Sequence, residues 1–226
     1  MSIQIPSPTE VRVPSGAIHL TGDLVLPTDA HGIVVFAHGS GSGRHSARNR
    51  AVARQLQEAG LATLLLDLLT PEEDSVDRRT RHLRFDIPLL SRRMEDTTAW
   101  VFRQPDLRHL PVGYFGASTG SAAALIAAAH LGRKVSAVVS RGGRPDLVGP
   151  AVLEAVAAPT LLIVGGADAA VIPLNTQAYD RLRAIREFVL IADASHLFEE
   201  PGALEDVARL ATDWFSRYLV PQPQPA

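Results

Sequence analysis

The sequence predicts an α/β fold, a mostly parallel central sheet of about seven or eight strands with helices on both faces. Three observations lead there. Short apolar runs alternate with helical stretches along most of the chain. One run, Ile33–Phe36, is continuously apolar, as a strand covered on both faces is, and Leu61–Leu66 reads as the next buried strand. No internal repeat and no long linker divides the pattern, so the 226 residues read as a single domain, residues 1–226. Its ordered core is expected over about 10–220, with 221–226 (PQPQPA) as a flexible tail.

Taken in order, Val11–Val13 and Ile18–Leu26 are expected strands joined by a Pro-Ser-Gly turn. His31–His38 holds the third strand, and a Gly/Ser loop follows it. Ala47–Ala59 is a helix that Gly60 ends as its C′ residue. Leu61–Leu66 is the next strand, Pro71–Asp77 an acidic loop, and Arg78–Arg103 a long helical stretch with a break before Pro88. Val112–Phe115 is a strand and Ser118–Leu131 a helix stopped by Gly132. Val135–Val139 and Thr160–Val164 are strands, Pro173–Arg183 a helix with Pro at its start, and Phe188–Ile191 the last strand. Leu204, Val207, Ala208, Ala211, Trp214, Phe215 and Tyr218 recur at helical spacing, so an amphipathic helix closes the pattern.

Composition narrows the function classes. Apolar residues make up 46% and charged residues 20%, ordinary for a globular protein. A net charge of −2 supplies no broad basic surface for nucleic acid. The absence of cysteine removes disulfides, thiolate metal sites and a Cys nucleophile together. The first residues lack a basic region followed by an apolar one, and the most apolar stretch, Ala122–Leu131, is too short to span a bilayer. The expectation is a cytoplasmic protein without a metal site that binds neither membrane nor nucleic acid.

In an open parallel sheet, sites lie at the carboxyl ends of strands. Gly116-Ala117-Ser118-Thr119-Gly120 sits at such an end and reads G-x-S-x-G. A serine on so sharp a strand-to-helix turn has its hydroxyl exposed, and glycines two residues to either side avoid a clash. The plainer reading is a glycine-rich turn with Ser118 as a helix N-cap.

Serine needs a base within hydrogen-bond reach. Of eight histidines, His196 alone follows the last strand and comes after Ser118. His38 ends a strand and is expected to support the loop behind it, and His45 lies upstream in that loop. Asp168, after Thr160–Val164, completes a Ser-Asp-His order and would hold the imidazole in one tautomer. Asp193, three residues before His196, competes for that place.

Acyl transfer also needs N–H donors for an oxyanion. One is expected from Thr119, the other from the glycine-rich loop 38–43, from Ser40 or from Gly41. Gly41, Arg44 and Arg141 are candidate substrate contacts, since an arginine there would favour a carboxylate or phosphate. For Arg44, Arg48 and Arg141 a solvated surface position is equally compatible with the sequence, and Glu72 and Glu73 are similarly ambiguous.

Four segments carry a family resemblance: residues 38–46 (HGSGSGRHS), 67–73 (DLLTPEE), 116–120 (GASTG) and 195–202 (SHLFEEPG). Over about residues 10–220 the chain resembles the α/β-hydrolase superfamily, and within it the small dienelactone hydrolase-like group. The resemblance implies a cofactor-free hydrolase of small carboxylic esters working through an acyl-enzyme on Ser118. Only about twenty residues separate Val139 from Thr160, where that superfamily commonly inserts lids, so no large lid domain is expected. Some relatives are joined to a phosphoribosyltransferase domain, which these residues do not contain. Dienelactone hydrolases proper use Cys, and Ser118 with no cysteine points instead to a general carboxylesterase. A serine peptidase or acyltransferase would use the same three residues. A silent hydrolase fold serving as a binding protein is the alternative outside catalysis.

Overall fold

The computed structural model describes residues 5–220. Its elements are β1 (Thr9–Ser15), β2 (Ile18–Val25), β3 (Ile33–Ala37), α1 (Ala47–Glu58), β4 (Ala62–Leu66), α2 (Pro71–Thr80), α3 (Ile87–Val101), β5 (Val112–Ala117), α4 (Thr119–Leu131), β6 (Val135–Arg141), α5 (Pro150–Ala155), β7 (Thr160–Gly165), α6 (Ile172–Arg181), β8 (Arg186–Ile191) and α7 (Ala203–Tyr218). The eight strands form one sheet in the order β1-β2-β4-β3-β5-β6-β7-β8. The β1–β2 and β2–β4 pairs are antiparallel and the remaining pairs parallel. The expected sheet is therefore present. The expected tail, 221–226, lies outside the described residues.

Strand side chains alternate between two buried layers, which is why β3 is apolar and buried at every position. Ile33 and Val35 of β3 join Tyr114, Val138 and Leu162 on the face covered by α3, α4, α5 and α6. Val34 and Phe36 join Phe115, Val139 and Ile163 on the face covered by α1 and α7. The helices fit these faces by sequence. Buried α4 is mostly alanine, and that lets its axis lie close to the sheet. In α7, Val207, Ala208, Ala211, Trp214 and Phe215 form one buried stripe.

The largest departure from expectation is between β4 and β5. Residues 71–77 form a helix, not a loop, and the expected stretch Arg78–Arg103 is two helices. Thr70 caps α2: its Oγ1 accepts from the Glu73 N–H at 3.2 Å, while Glu73 accepts from the Thr70 N–H at 2.8 Å. The T-x-x-E signal and Pro71 at the first helical position were both readable in the sequence. Arg81, in the left-handed conformation, ends α2. Asp77 then turns the chain, accepting from the N–H groups of Leu83 and Arg84. Asp86 caps α3, accepting from the Leu89 N–H, and Pro88 lies in its first turn. The break before Pro88 is thus the start of a second helix. Several ends also shift: β1 is longer at both ends, β6 runs on to Arg141, α6 spans Ile172–Arg181, β8 begins at Arg186, and α4 begins at Thr119 with Ser118 as its flanking residue.

Among the described residues, no helix is long and apolar enough to cross a membrane. Between β6 and β7 the chain makes only a short turn and α5, so no lid domain is inserted there.

Candidate active site

Ser118 lies between β5 and α4 at φ 50° and ψ −121°, a backbone conformation rare for a side chain other than glycine. Such a conformation costs on the order of 1–3 kcal/mol and persists only where the surroundings enforce it. They do so here by close backbone approach. A Cβ on Gly120 would stand 2.2 Å from the carbonyl oxygen of Ala37, and one on Gly116 would stand 2.4 Å from Cα of Ser121. Behind the turn, Ser121 Oγ donates to the Ser118 carbonyl at 2.7 Å and accepts from the Arg144 N–H at 3.1 Å. The Ser118 N–H donates to the Arg141 carbonyl at 3.1 Å, which ties the turn to the end of β6.

His196 reaches this turn from the loop after β8. Its Nε2 lies 3.3 Å from Ser118 Oγ, and its Nδ1 lies 2.6 Å from Asp168 Oδ2. The His196 loop is held against the end of β7 by backbone bonds. The Ala167 N–H donates to the Ala194 carbonyl at 3.0 Å, and the Gly166 N–H to the Ile191 carbonyl at 2.7 Å. A side chain at Gly165 would strike the Ala194 carbonyl at 2.3 Å, so glycine there is what lets the two loops close. Asp168 is largely buried and the imidazole about one-third exposed. Asp193 is exposed and makes no hydrogen bond to His196, so the partner of the imidazole is Asp168.

The loop after β3 faces the same turn. Gly39 packs against Ala117 and Ser118. Among the described residues, no protein acceptor takes the N–H of Ser40 or of Gly41, and Gly41 has φ 71°. Thr119, buried, begins α4, so its N–H belongs to the first turn of a helix, where donors have no partner within the helix. His38 fixes the loop from behind. Its Nε2 accepts from the Leu68 N–H at 3.0 Å, which leaves Nδ1 to carry the proton and donate to the Gly39 carbonyl at 2.9 Å. Desolvation of the ring pushes its pKa below 6.5, against the opposing pull of the Gly39 carbonyl and Asp67.

A cavity of about 780 Å³ adjoins this loop, lined by Ser40, Gly41 and Thr119 and, from the α2 region, by Leu69, Arg81 and Arg84. Sequence reading missed this second wall because it took α2 for a loop.

The candidate arginines separate. Arg44 is held by three carboxylates, with Glu10 at 2.9 Å, Asp23 at 3.1 Å and Asp67 at 2.8 Å. It ties the loop to β1, β2 and the end of β4. Arg141, by contrast, is 7% exposed and has no ion-pair partner among the described residues. Glu73 belongs to the architecture: it forms two hydrogen bonds with buried Arg93 of α3, at 2.6 and 2.7 Å. Burial alone would raise the Glu73 carboxyl, but bonds from Arg93 and Thr70 outweigh it and hold the pKa low.

A doubly wound sheet with a strained serine turn at the end of β5 is the architecture of the α/β-hydrolase fold. Residues 30–209 match the alpha/beta hydrolase domain family, and the chain belongs to it. The crystal structure of a dienelactone hydrolase from Anabaena variabilis ATCC 29413 is 58% identical to it, covers 97% of this chain and 100% of its own, and has a TM-score of 0.92. Two strains of Mycobacterium tuberculosis carry relatives named "Putative phosphoribosyl transferase", 56% identical over 210 residues. That match takes in 93% of this chain and 46% of theirs, so the chain spans less than half the length of these relatives. Est1E from Butyrivibrio proteoclasticus shares the fold at 14% identity, with a TM-score of 0.78 over 92% of this chain and 98% of that one.

Proposed function

We propose that this chain is a serine carboxylesterase acting on small esters through an acyl-enzyme. The observation that carries the reading is the Ser118–His196–Asp168 relay, 3.3 and 2.6 Å long, built on three separate strand ends. Nothing in the packing of the sheet requires those three side chains to converge.

In this reading Ser118 Oγ attacks the ester carbonyl while His196 Nε2 takes its proton. The Asp168 carboxylate holds the Nδ1–H and stabilises the imidazolium that forms. The N–H groups of Thr119 and of Ser40, with Gly41 as the alternative, hold the developing oxyanion. The imidazolium then gives its proton to the departing alkoxide. Water, deprotonated by the same ring, attacks the acyl carbonyl; the acyl–Oγ bond breaks, the imidazolium returns its proton to Ser118 Oγ, and the acid is released. The 780 Å³ cavity suits a small substrate, and the short β6–β7 connection leaves the site without a lid. The transferase name of the M. tuberculosis relatives belongs to proteins in which this segment is under half the length. Peptide or acyl-acceptor substrates would use the same residues and are separated by substrate profiling.

The test is turnover of a short p-nitrophenyl ester, together with labelling by a fluorophosphonate. Ser118→Ala is expected to lose at least three orders of magnitude in kcat and all labelling, and His196→Ala to lose the labelling. Undiminished turnover in Ser118→Ala would overturn the assignment of the nucleophile, and wild-type protein that neither turns over the ester nor takes the fluorophosphonate would favour a silent fold.

A further inference from the structure

The loop after β3 is tied at both ends and touched at its tip. At its start His38 joins it to Leu68, and at its end the Arg44 N–H donates to Asp67 Oδ1 at 2.7 Å. Between them the Ser42 N–H closes a turn onto the Gly39 carbonyl at 3.1 Å. Ser40 and Gly41 stand at the tip of that turn, and among the described residues neither makes a backbone hydrogen bond. A donor to an oxyanion is effective only when it is held where the charge will develop. The loop's own hydrogen bonds do not fix these two N–H groups.

Arg84 lies against the tip. A Cβ on Gly41 would stand 3.1 Å from Arg84 Nη1 and 3.9 Å from its Cζ, so the guanidinium packs on the bare Cα of Gly41. Arg84 and Gly41 line the cavity together with Ser40 and Thr119. The guanidinium is gripped along one edge: its Nε donates to Asp77 Oδ2 at 2.5 Å and its Nη2 to the Asp77 carbonyl at 3.2 Å. Nη1, the nitrogen nearest Gly41, has no hydrogen-bond partner among the described residues. Asp77 is 1% exposed, and its Oδ1 accepts from the N–H groups of Leu83 and Arg84 at 2.8 and 3.1 Å. Those two backbone bonds already shape the connection between α2 and α3. The further grip on the side chain fixes one thing more, the face that Arg84 presents to Gly41. A planar fork held along one edge keeps its remaining nitrogen in a defined place, as a flexible ammonium would not.

We propose that Arg84, locked by Asp77, is a positioning residue for the oxyanion hole. From the α2–α3 connection it sets the Ser40–Gly41 peptide so that its N–H group meets the charge that develops in acyl transfer. The inference rests on the esterase reading and deepens it. It makes the connection between α2 and α3 a support of the chemistry as well as a wall of the cavity. Misplacing a catalytic group by about 1 Å can cost 100-fold in rate, so the effect belongs in kcat.

The experiment follows ethyl butyrate hydrolysis by pH-stat in wild type, Arg84→Met and the double variant Asp77→Asn/Arg84→Met. Arg84→Met is expected to lower kcat about 10- to 100-fold while KM changes less than about threefold. Two inhibitors separate the transition state from the ground state. Propyl trifluoromethyl ketone, whose adduct with Ser118 carries the oxyanion, should weaken by the same factor as kcat/KM, and butyrate, the product, should bind as before. A residue that only walls the cavity would raise KM and weaken both inhibitors alike. One that only supports stability would lower the urea midpoint and leave kcat in place. Either result overturns the proposal. Where Arg84→Met fails to fold, the double variant, which leaves no unpaired buried charge, decides by the same comparison. Should wild type hydrolyse no ester, the rate of fluorophosphonate labelling of Ser118 replaces turnover. Labelling about tenfold slower in Arg84→Met then supports the positioning role and counts against the esterase reading alone. An equal rate, or no labelling of either protein, overturns it.

Discussion

Ser118 holds a conformation that a side chain resists, and the fold supplies the energy. The strain belongs to the backbone, so it should persist when the hydroxyl is removed but not when the Cβ is. Ser118→Gly is therefore expected to be more stable than Ser118→Ala by about 1 kcal/mol, read as a difference in urea midpoint at equal slope. Both variants should be inactive. Equal midpoints would mean that the turn is not strained in solution. His38 illustrates a different use of a histidine at the same end of the sheet. Its two ring nitrogens are both engaged, one by Leu68 and one by Gly39, so it sets the position of the loop and has no free nitrogen for a substrate. The sequence placed His38 at a strand end and assigned it this supporting role, but its contact with Leu68, 30 residues further along the chain, was not readable.

At the scale of elements, the position of α2 depends on one ion pair. The bidentate Glu73–Arg93 contact joins α2 to α3, and Arg93 also donates to the Leu68 carbonyl. Arg93 is only 4% exposed, so removing its charge leaves Glu73 with its Thr70 hydrogen bond but no counter-charge. Arg93→Met is expected to cost on the order of 3 kcal/mol. Its first symptom should be local. Amide hydrogen exchange in α2 should accelerate while that in α4 does not, and KM should rise because α2 walls the cavity. Uniform acceleration through both helices would show instead that the pair serves global stability. The capping box at Thr70 and Glu73 was legible as a sequence signal, whereas the pairing with Arg93 was not, because it needs α3 to fold back across α2.

For the whole molecule, the titrating groups predict a two-stage loss of stability in acid. The native state keeps His38 neutral, with a pKa below 6.5. Above 6.5 the ring is neutral in both states and adds no pH dependence. As pH falls below 6.5 the unfolded chain takes up a proton that the native ring resists, so stability drops. Glu73, Asp77 and Asp146 behave oppositely in charge but alike in direction. Hydrogen bonds and charge from Arg93, Arg84 and Arg144 hold all three carboxyls low, so their contribution is present above about pH 4 and lost below it. Denaturant titrations from pH 8 to 3 should therefore show a first decline beginning near 6.5 and a second near 4. In His38→Gln the first decline should shrink and the second remain. A first decline of undiminished size in that variant would assign it to another group.

The sequence by itself determined the strand–helix alternation, the sheet, the serine turn and the Ser-Asp-His order, because each is written in local composition and chain order. Periodicity records burial, and glycines at 116 and 120 record a backbone approach that admits no Cβ. It also carried the family, which the match over residues 30–209 bears out. The tertiary structure decided what depends on distance between segments. It chose Asp168 over Asp193 by placing a carboxylate 2.6 Å from Nδ1. It separated Arg44, neutralised by three acids from distant strands, from Arg141, which is buried with none. An arginine reads the same in any sequence. Whether its charge is already answered depends on which carboxylates the fold brings near it, and that is a property of the packed chain alone.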